Sequence, residues 1–324
     1  MLTAYLFDQR QGKPVEEWAD ALPSLSKNQT LWVDLVDPSE DEAQAVNEGF
    51  GLGGVELRAG EPAARPSLDQ SEDHIRVTAI AVSDEENDPA REAVVLDCFI
   101  GVNWVLTVHT REVAVIEDFR SQAEGKGELG ILDAPSFLAT LLEWVVTSYS
   151  RAFDEVESTL EEFDVSVLRS PRRDTERQIS VLVETRSRVG RLRRALAPHR
   201  EIFAALAHPE LDLISTERSA ERFAKLAAQV DTALASARDA KDAVVSSFDV
   251  LILRTEHRTG EVVKVLTLAS ILLLPGALIA GVMGMNVNFS SGVFVHSPLF
   301  WVVVSAIVTI ALATLGFARL REWI

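Results

Sequence analysis

Hydrophobic positions along this chain change rhythm near residue 135 and again near residue 265. Over residues 1–110 they come in short runs at Thr3–Phe7, Leu31–Leu35, Ile75–Val82 and Ala93–His109, which predict strands. Gly101-Val102-Asn103 interrupts the last run and predicts a hairpin between Val95–Ile100 and Trp104–Val108. Pro38-Ser39-Glu40-Asp41 predicts a helix start with acids in its first turn, and Gly49–Arg65 reads as loop. From about Pro135 the spacing becomes helical. Phe137, Leu138, Leu141, Leu142, Val145, Val146, Phe153, Val156, Leu160 and Phe163 form one face. Asp154, Glu155, Glu157, Glu161, Glu162 and Asp164 form the other. Pro171 predicts a break, a second helix spans about Asp174–Ala197, and a short one follows Pro198 at His199–Leu206. From about Ser215 to Met285 the one proline is Pro275. A single helix of that length runs roughly 100 Å at ~1.5 Å per residue, which suits an intersubunit stalk entering a membrane.

Two uncharged apolar blocks follow, Val265–Met285 and Leu299–Ala318. Each has the ~20 residues that cross a hydrocarbon core of ~30 Å. Arg254, His257, Arg258 and Lys264 precede the first block, Arg319 and Arg321 follow the second, and Asn286–Pro298 between them has no Lys or Arg. That asymmetry places both termini in the cytoplasm. Met1–Asp8 shows no basic or long apolar segment, so no secretory signal is expected there. The expected layout is an α/β cytoplasmic domain (1–134), then a helical region ending in a long stalk helix (135–264). A transmembrane helix (265–285), an outer loop (286–298), a second transmembrane helix (299–318) and a basic tail (319–324) complete it. Lipid of an inner (plasma) membrane is then a partner.

Charge narrows the function. With 49 acidic and 31 basic residues the net charge is -18, which repels nucleic acid and attracts cations, and also serves plain solubility. The one cysteine, Cys98, lies in the apolar run Val94–Ile100 and predicts a buried strand thiol, too few for a thiolate metal site. His74, His109, His199, His208, His257 and His296 show no His-Glu-x-x-His pattern. Gly49-Phe50-Gly51-Leu52-Gly53-Gly54 has dinucleotide-fingerprint spacing, yet it follows a predicted helix instead of opening one, and Gly125-Lys126-Gly127 lacks Walker spacing. No catalytic constellation or resident cofactor is expected.

The first apolar block carries Thr267, Ser270, Gly276, Ala277, Gly281 and Gly284, with Asn286 just beyond. Gly260, Val263, Thr267, Ser270, Leu274, Ala277 and Gly281 fall along one helical stripe. Around an axis of several copies, the stripe lines a narrow lumen with a dewetting constriction at Leu274; alternatively it is a helix packing seam. An Asn286 ring offers neutral carbonyls that hold a cation through its water shell. Pro275 breaks one backbone hydrogen bond and favours a local kink. The acidic face Asp154–Asp164 and Asp249 read either as a cation reservoir or as solvated surface, and His296 as a solvated loop residue or a contact for incoming Zn2+.

Gly284-Met285-Asn286, closing the first of two C-terminal apolar helices, resembles the CorA family of divalent metal ion transporters. The likeness extends to Lys264-Val265-Leu266-Thr267, to Leu274-Pro275-Gly276 and to the strand–turn–strand Phe99–His109. It implies a funnel-shaped homo-oligomer, a pentamer, with the first membrane helix lining the pore and Asn286 as its selectivity ring. It implies transport of Mg2+ with Co2+ or Ni2+ as companions, or of Zn2+ in the family's zinc-transporting branch. Two positions depart from the family pattern. The outer loop Val287–Pro298 has no carboxylate where relatives often carry Met-Pro-Glu, and Gly260 stands where magnesium channels tend to have Asn. A membrane-anchored sensor or scaffold that transports nothing is the rival from another class.

Overall fold

A computed structural model describes residues 1–8, 12–26, 28–55, 57, 65–83, 93–124, 132–169, 175–208, 217–285 and 298–320. Pro171, the Gly125-Lys126-Gly127 segment, Asn286, His296, and the loop and tail around them lie outside the described residues. The chain divides into two compact units, Met1–Phe248 and Asp249–Ile324.

The first unit is built on a seven-stranded sheet of order β2-β1-β3-β7-β6-β5-β4. Its strands are β1 (Leu2–Asp8), β2 (Gly12–Pro14), β3 (Gln29–Val36), β4 (Ser67–Gln70), β5 (Ile75–Val82), β6 (Ala93–Ile100) and β7 (Trp104–His109). All pairings are antiparallel except β3 with β7. The α/β expectation therefore holds in a mixed form, with parallel pairing confined to the centre. Helices cover both faces, which is why the central strands read as unbroken apolar runs and not as alternation. On one face Leu31, Val33, Leu35, Phe99, Leu106 and Val108 pack with Trp18 of α1 (Trp18–Ala21) and with Val46 and Phe50 of α2 (Glu40–Phe50). On the other, Trp32 meets Phe119 of α3 (Ala114–Glu124) and Phe137 of α4 (Ala134–Arg169), both with ring centroids 5.6 Å apart.

Local chemistry sets the ends of these elements. Ser39 and Glu42 form a capping box at α2, with Ser39 Oγ accepting from the Glu42 amide at 3.3 Å and Glu42 Oε2 from the Ser39 amide at 3.0 Å. Gly51, at φ 66°, ends α2 in the left-handed conformation, so the glycine run terminates a helix, as the sequence implied. At the β6–β7 turn, any Cβ on Gly101 would sit inside the Trp104 indole.

Helices α5 (Thr175–Leu196), α6 (His199–Leu206) and α7 (Glu217–Met285) follow α4. The apolar face of α4 buries Phe137, Leu141, Leu142, Val145, Val146, Phe153, Val156 and Leu160, while Phe163 is half-buried. Among the described residues, β4 pairs with β5 only from Ile75 to Thr78, and beyond that the outer edge of β5 meets side chains. There Tyr149 Oη donates to the Ile80 carbonyl at 2.9 Å, and the Ile80 amide donates to His199 Nε2 at 3.0 Å. Two side chains thus satisfy the backbone groups that a further strand would have taken.

The second unit holds the remainder of α7 and α8 (Pro298–Leu320). α7 stays helical through Pro275. It is long and apolar enough to cross a membrane, and Val304–Thr314 of α8 forms a shorter apolar stretch among the described residues.

Candidate functional site

All seven stripe residues, Gly260, Val263, Thr267, Ser270, Leu274, Ala277 and Gly281, lie on α7. At 3.6 residues per turn they occupy an arc of about 100°. A different face of the same helix meets α8. Leu268, Leu272, Pro275, Gly276 and Ile279 are half-buried there, as are Val304, Ile307, Ala311 and Thr314 on α8. A Cβ on Gly276 would come to 3.3 Å from Ile307 Cγ2, so glycine at that position lets the two helices close up. The centres of the two faces are about 150° apart by the same helical count. α8 therefore leaves most of the stripe uncovered, with Leu274 66% and Val263 53% exposed, while Thr267 is half-buried.

The hydroxyls on the stripe are already committed as donors. Thr267 Oγ1 donates to the Val263 carbonyl at 2.8 Å, and Ser270 Oγ donates to the Leu266 carbonyl at 2.9 Å. Each spends its proton on its own helix and turns lone pairs outward. An outward acceptor suits a cation or the hydrogens of its hydration water, and it offers nothing to an anion. Gly284 and Met285 close α7, and Asn286 falls outside the described residues. Asp249 is exposed, as are Asp154, Glu155, Glu161 and Glu162, whereas Glu157 and Asp164 are half-buried. Among the described residues no three His, Cys, Asp or Glu side chains converge to hold a bare metal ion.

Two buried polar sites escape the sequence reading. Asp34 on β3 is fully buried, 3.0 Å from His109 Nε2, and accepts from Arg120 Nη2 at 2.7 Å and from the Thr107 hydroxyl. Trp32 Nε1 in turn donates to Thr107 Oγ1 at 3.0 Å. Burial raises the Asp34 pKa, but His109, Thr107 and Arg120 outweigh it and hold the carboxyl below its ordinary value. Burial likewise lowers the His109 pKa, and the hydrogen bond and charge of Asp34, with the Arg111 carbonyl, reverse that and raise it. Both His109 nitrogens face acceptors, so the imidazolium fits. His199 is the opposite case. Its Nε2 accepts from Ile80, its Nδ1 lies 3.1 Å from the Leu196 carbonyl, and burial brings its pKa down to about 4. Cys98 is buried in β6, and burial, Asp97 and Asp34 push its thiol pKa well up, as expected of an inert strand cysteine.

The family model described as "CorA-like Mg2+ transporter protein" matches residues 27–319. The chain belongs to the CorA family. A curated relative, the cobalt/magnesium transport protein CorA of Methanocaldococcus jannaschii, is 23% identical over 319 residues, covering 97% of this chain and 98% of its own. The complete structure of the CorA magnesium transporter from that organism superposes with a TM-score of 0.77 at 20% identity, over 99% of this chain and 98% of the other. The ZntB cytoplasmic domain from Vibrio parahaemolyticus matches 79% of this chain and 98% of its own, with a TM-score of 0.57 at 13% identity. These likenesses establish a CorA fold with its α/β domain and long helix.

Proposed function

We propose that this CorA-family chain carries divalent cations, Mg2+ and Co2+ foremost, across the inner membrane through a pore formed by several copies, five by family resemblance. Residues 265–285 and 299–318 are the two spans, 286–298 is the outer loop, and domain 1–134, helical region 135–264 and tail 319–324 are cytoplasmic. The observation that carries this reading is the largely uncovered stripe of α7, whose Thr267 and Ser270 hydroxyls are committed as donors to their own helix and keep lone pairs for the lumen.

In the assembled pore a hydrated cation meets the Asn286 carbonyls first. These hold it through water, since Mg2+ dehydrates reluctantly. It then passes Gly281 and Ala277, the Leu274 ring where a dewetted constriction gates it, and the Ser270 and Thr267 acceptors, and leaves by Val263 and Gly260. No covalent chemistry is involved. An inside-negative potential contributes about 2.3 kcal/mol per charge per 100 mV, roughly twice that for a divalent ion.

Flux into proteoliposomes tests this with Mg2+, Co2+, Ni2+ and Zn2+ supplied separately, beside an Asn286→Leu control. Flux that the control loses, with assembly unchanged, is the expected result. Control flux at the wild-type rate removes Asn286 from the pathway. Zn2+ flux alone assigns the zinc branch, and no flux from assembled, inserted protein favours the sensor or scaffold.

A further inference from the structure

Helix α5 runs against the charge of the chain. It has six arginines and two glutamates in 22 residues, in a protein of net charge -18. Val183, Arg186, Ser187, Gly190, Arg193 and Arg194 recur at helical spacing on one of its faces. With Val189 of α5 and with Ala237 and Lys241 of α7, they line a cavity of about 450 Å³ within the first unit. Among the described residues four cationic side chains and no carboxylate border it. Among the described residues Arg186, Arg193, Arg194 and Lys241 stand in no ion pair. Their neighbours are engaged: Arg188 lies 3.7 Å from Glu155, and Arg191 donates to Ser187 Oγ at 3.1 Å. A Cβ on Gly190 would stand 3.4 Å from Arg194 Nη1, so the glycine gives that guanidinium room to lie along the helix surface.

A second cavity, between α4 and α7, shows what an internally neutralised site looks like. It mixes Glu143 and Glu221 with Arg218, Arg222 and Lys225. There Lys225 lies 3.5 Å from Glu143, Gln229 donates to Glu143 at 2.6 Å, and Arg222 donates to Thr140 at 3.3 Å. Among the described residues the α5–α7 cavity has no such internal partners.

We propose that the α5–α7 cavity binds a nucleoside polyphosphate. Guanidinium forks match phosphoryl oxygens in pairs, and a lysine adds a point charge. One phosphate carries about two negative charges at most, half of what four cations neutralise, so a ligand with two or more phosphoryl groups fits the count. The volume lies within the ~300–1,000 Å³ of small-molecule sites. Val183, 53% exposed, supplies an apolar surface for the base, backed by the buried Val189 and Ala237. The site is independent of the transport reading, and its test reads binding, not flux.

Calorimetric titration of the full chain in detergent, without divalent cations, tests it with ATP, inorganic tripolyphosphate and AMP. Saturable ATP binding is expected, weaker for AMP and weakening with salt. A combined Arg186→Gln, Arg193→Gln, Arg194→Gln variant, all exposed positions, loses affinity at least tenfold, and Lys241→Gln loses less. Arg200→Gln, which removes an exposed partner of Asp231 outside the cavity, leaves affinity unchanged. No saturable ATP binding, binding of tripolyphosphate without ATP, or full affinity in the combined variant while it melts like wild type overturns the proposal.

Discussion

Acidifying the protein from pH 7 to pH 5 should weaken the first unit through His199. In the fold, Nε2 of this buried imidazole accepts the Ile80 amide, so a proton there would both break that bond and leave a charge without water. Burial depresses the pKa from 6.5 to about 4, while an unfolded chain keeps the ordinary value. Between those values the unfolded state binds the proton and the folded state refuses it. Stability is therefore fully present above pH 6.5 and falls as the solution is acidified towards pH 4. At 1.36 kcal/mol per pKa unit, the loss from this residue at pH 5 is about 2 kcal/mol. Urea unfolding of wild type and His199→Gln, followed by tryptophan fluorescence at pH 7 and pH 5, isolates the effect. Glutamine retains a donor and an acceptor but does not titrate, and every other titrating group is common to both proteins. Wild type should lose about 2 kcal/mol more than the variant on acidification. Equal losses in the two would show that His199 carries no depressed pKa and that the Ile80 bond does not require a neutral ring.

Asp34→Asn should cost about 3–5 kcal/mol in the same assay, because His109 and Arg120 lose their buried counter-charge. Asp34 is held below its usual 3.8 and His109 above its usual 6.5, so the pair stabilises most between those values and fades as pH rises through the raised His109 pKa; the same substitution should abolish that alkaline decline. Gly101→Ala drives a methyl into the Trp104 ring and should cost about 1–3 kcal/mol, read as a lower urea midpoint. Thr267→Val keeps shape and removes the outward lone pairs; flux in liposomes should fall while crosslinked oligomer yield stays constant, and lost assembly with it would instead mark a packing seam.

The legible parts of the fold are those where local pattern and packing agree. The strand Ile75–Val82 and the helix His199–Leu206 have the bounds expected from the sequence, one because its apolar run is unbroken, the other because Pro198 fixes its start. β2 and β4, with three and four residues, are polar edge strands whose pairing comes from their neighbours rather than their own pattern, and α3 has few apolar positions to mark it. Asp34 hid as one polar letter inside Leu31–Leu35, with Thr107 and Arg120 73 and 86 residues away. A carboxylate in a strand buried on both faces was still a usable signal, since burial without partners is prohibitive. On α7 the stripe was readable from its 3-and-4 spacing. Which face α8 covers was not, because that depends on the fit of Gly276 to Ile307.

That fit also divides the surfaces of the second unit. Off the stripe, Leu266, Leu273, Leu278, Trp301 and Val302 of the second unit are each at least 60% exposed. Such an area is untenable in water at about 25 cal/mol per Å², and lipid accommodates the large side chains. It does less for Thr267, Ser270, Ala277 and Gly281, which offer little dispersion contact to acyl chains, and the outward lone pairs of the Thr267 and Ser270 hydroxyls find no donor in lipid. A second copy of α7 or a column of water answers these demands, and a ring of copies around an aqueous axis answers them together. The large apolar side chains then face lipid and the lone pairs face water. That division of surfaces is the one the proposed oligomeric pore would use.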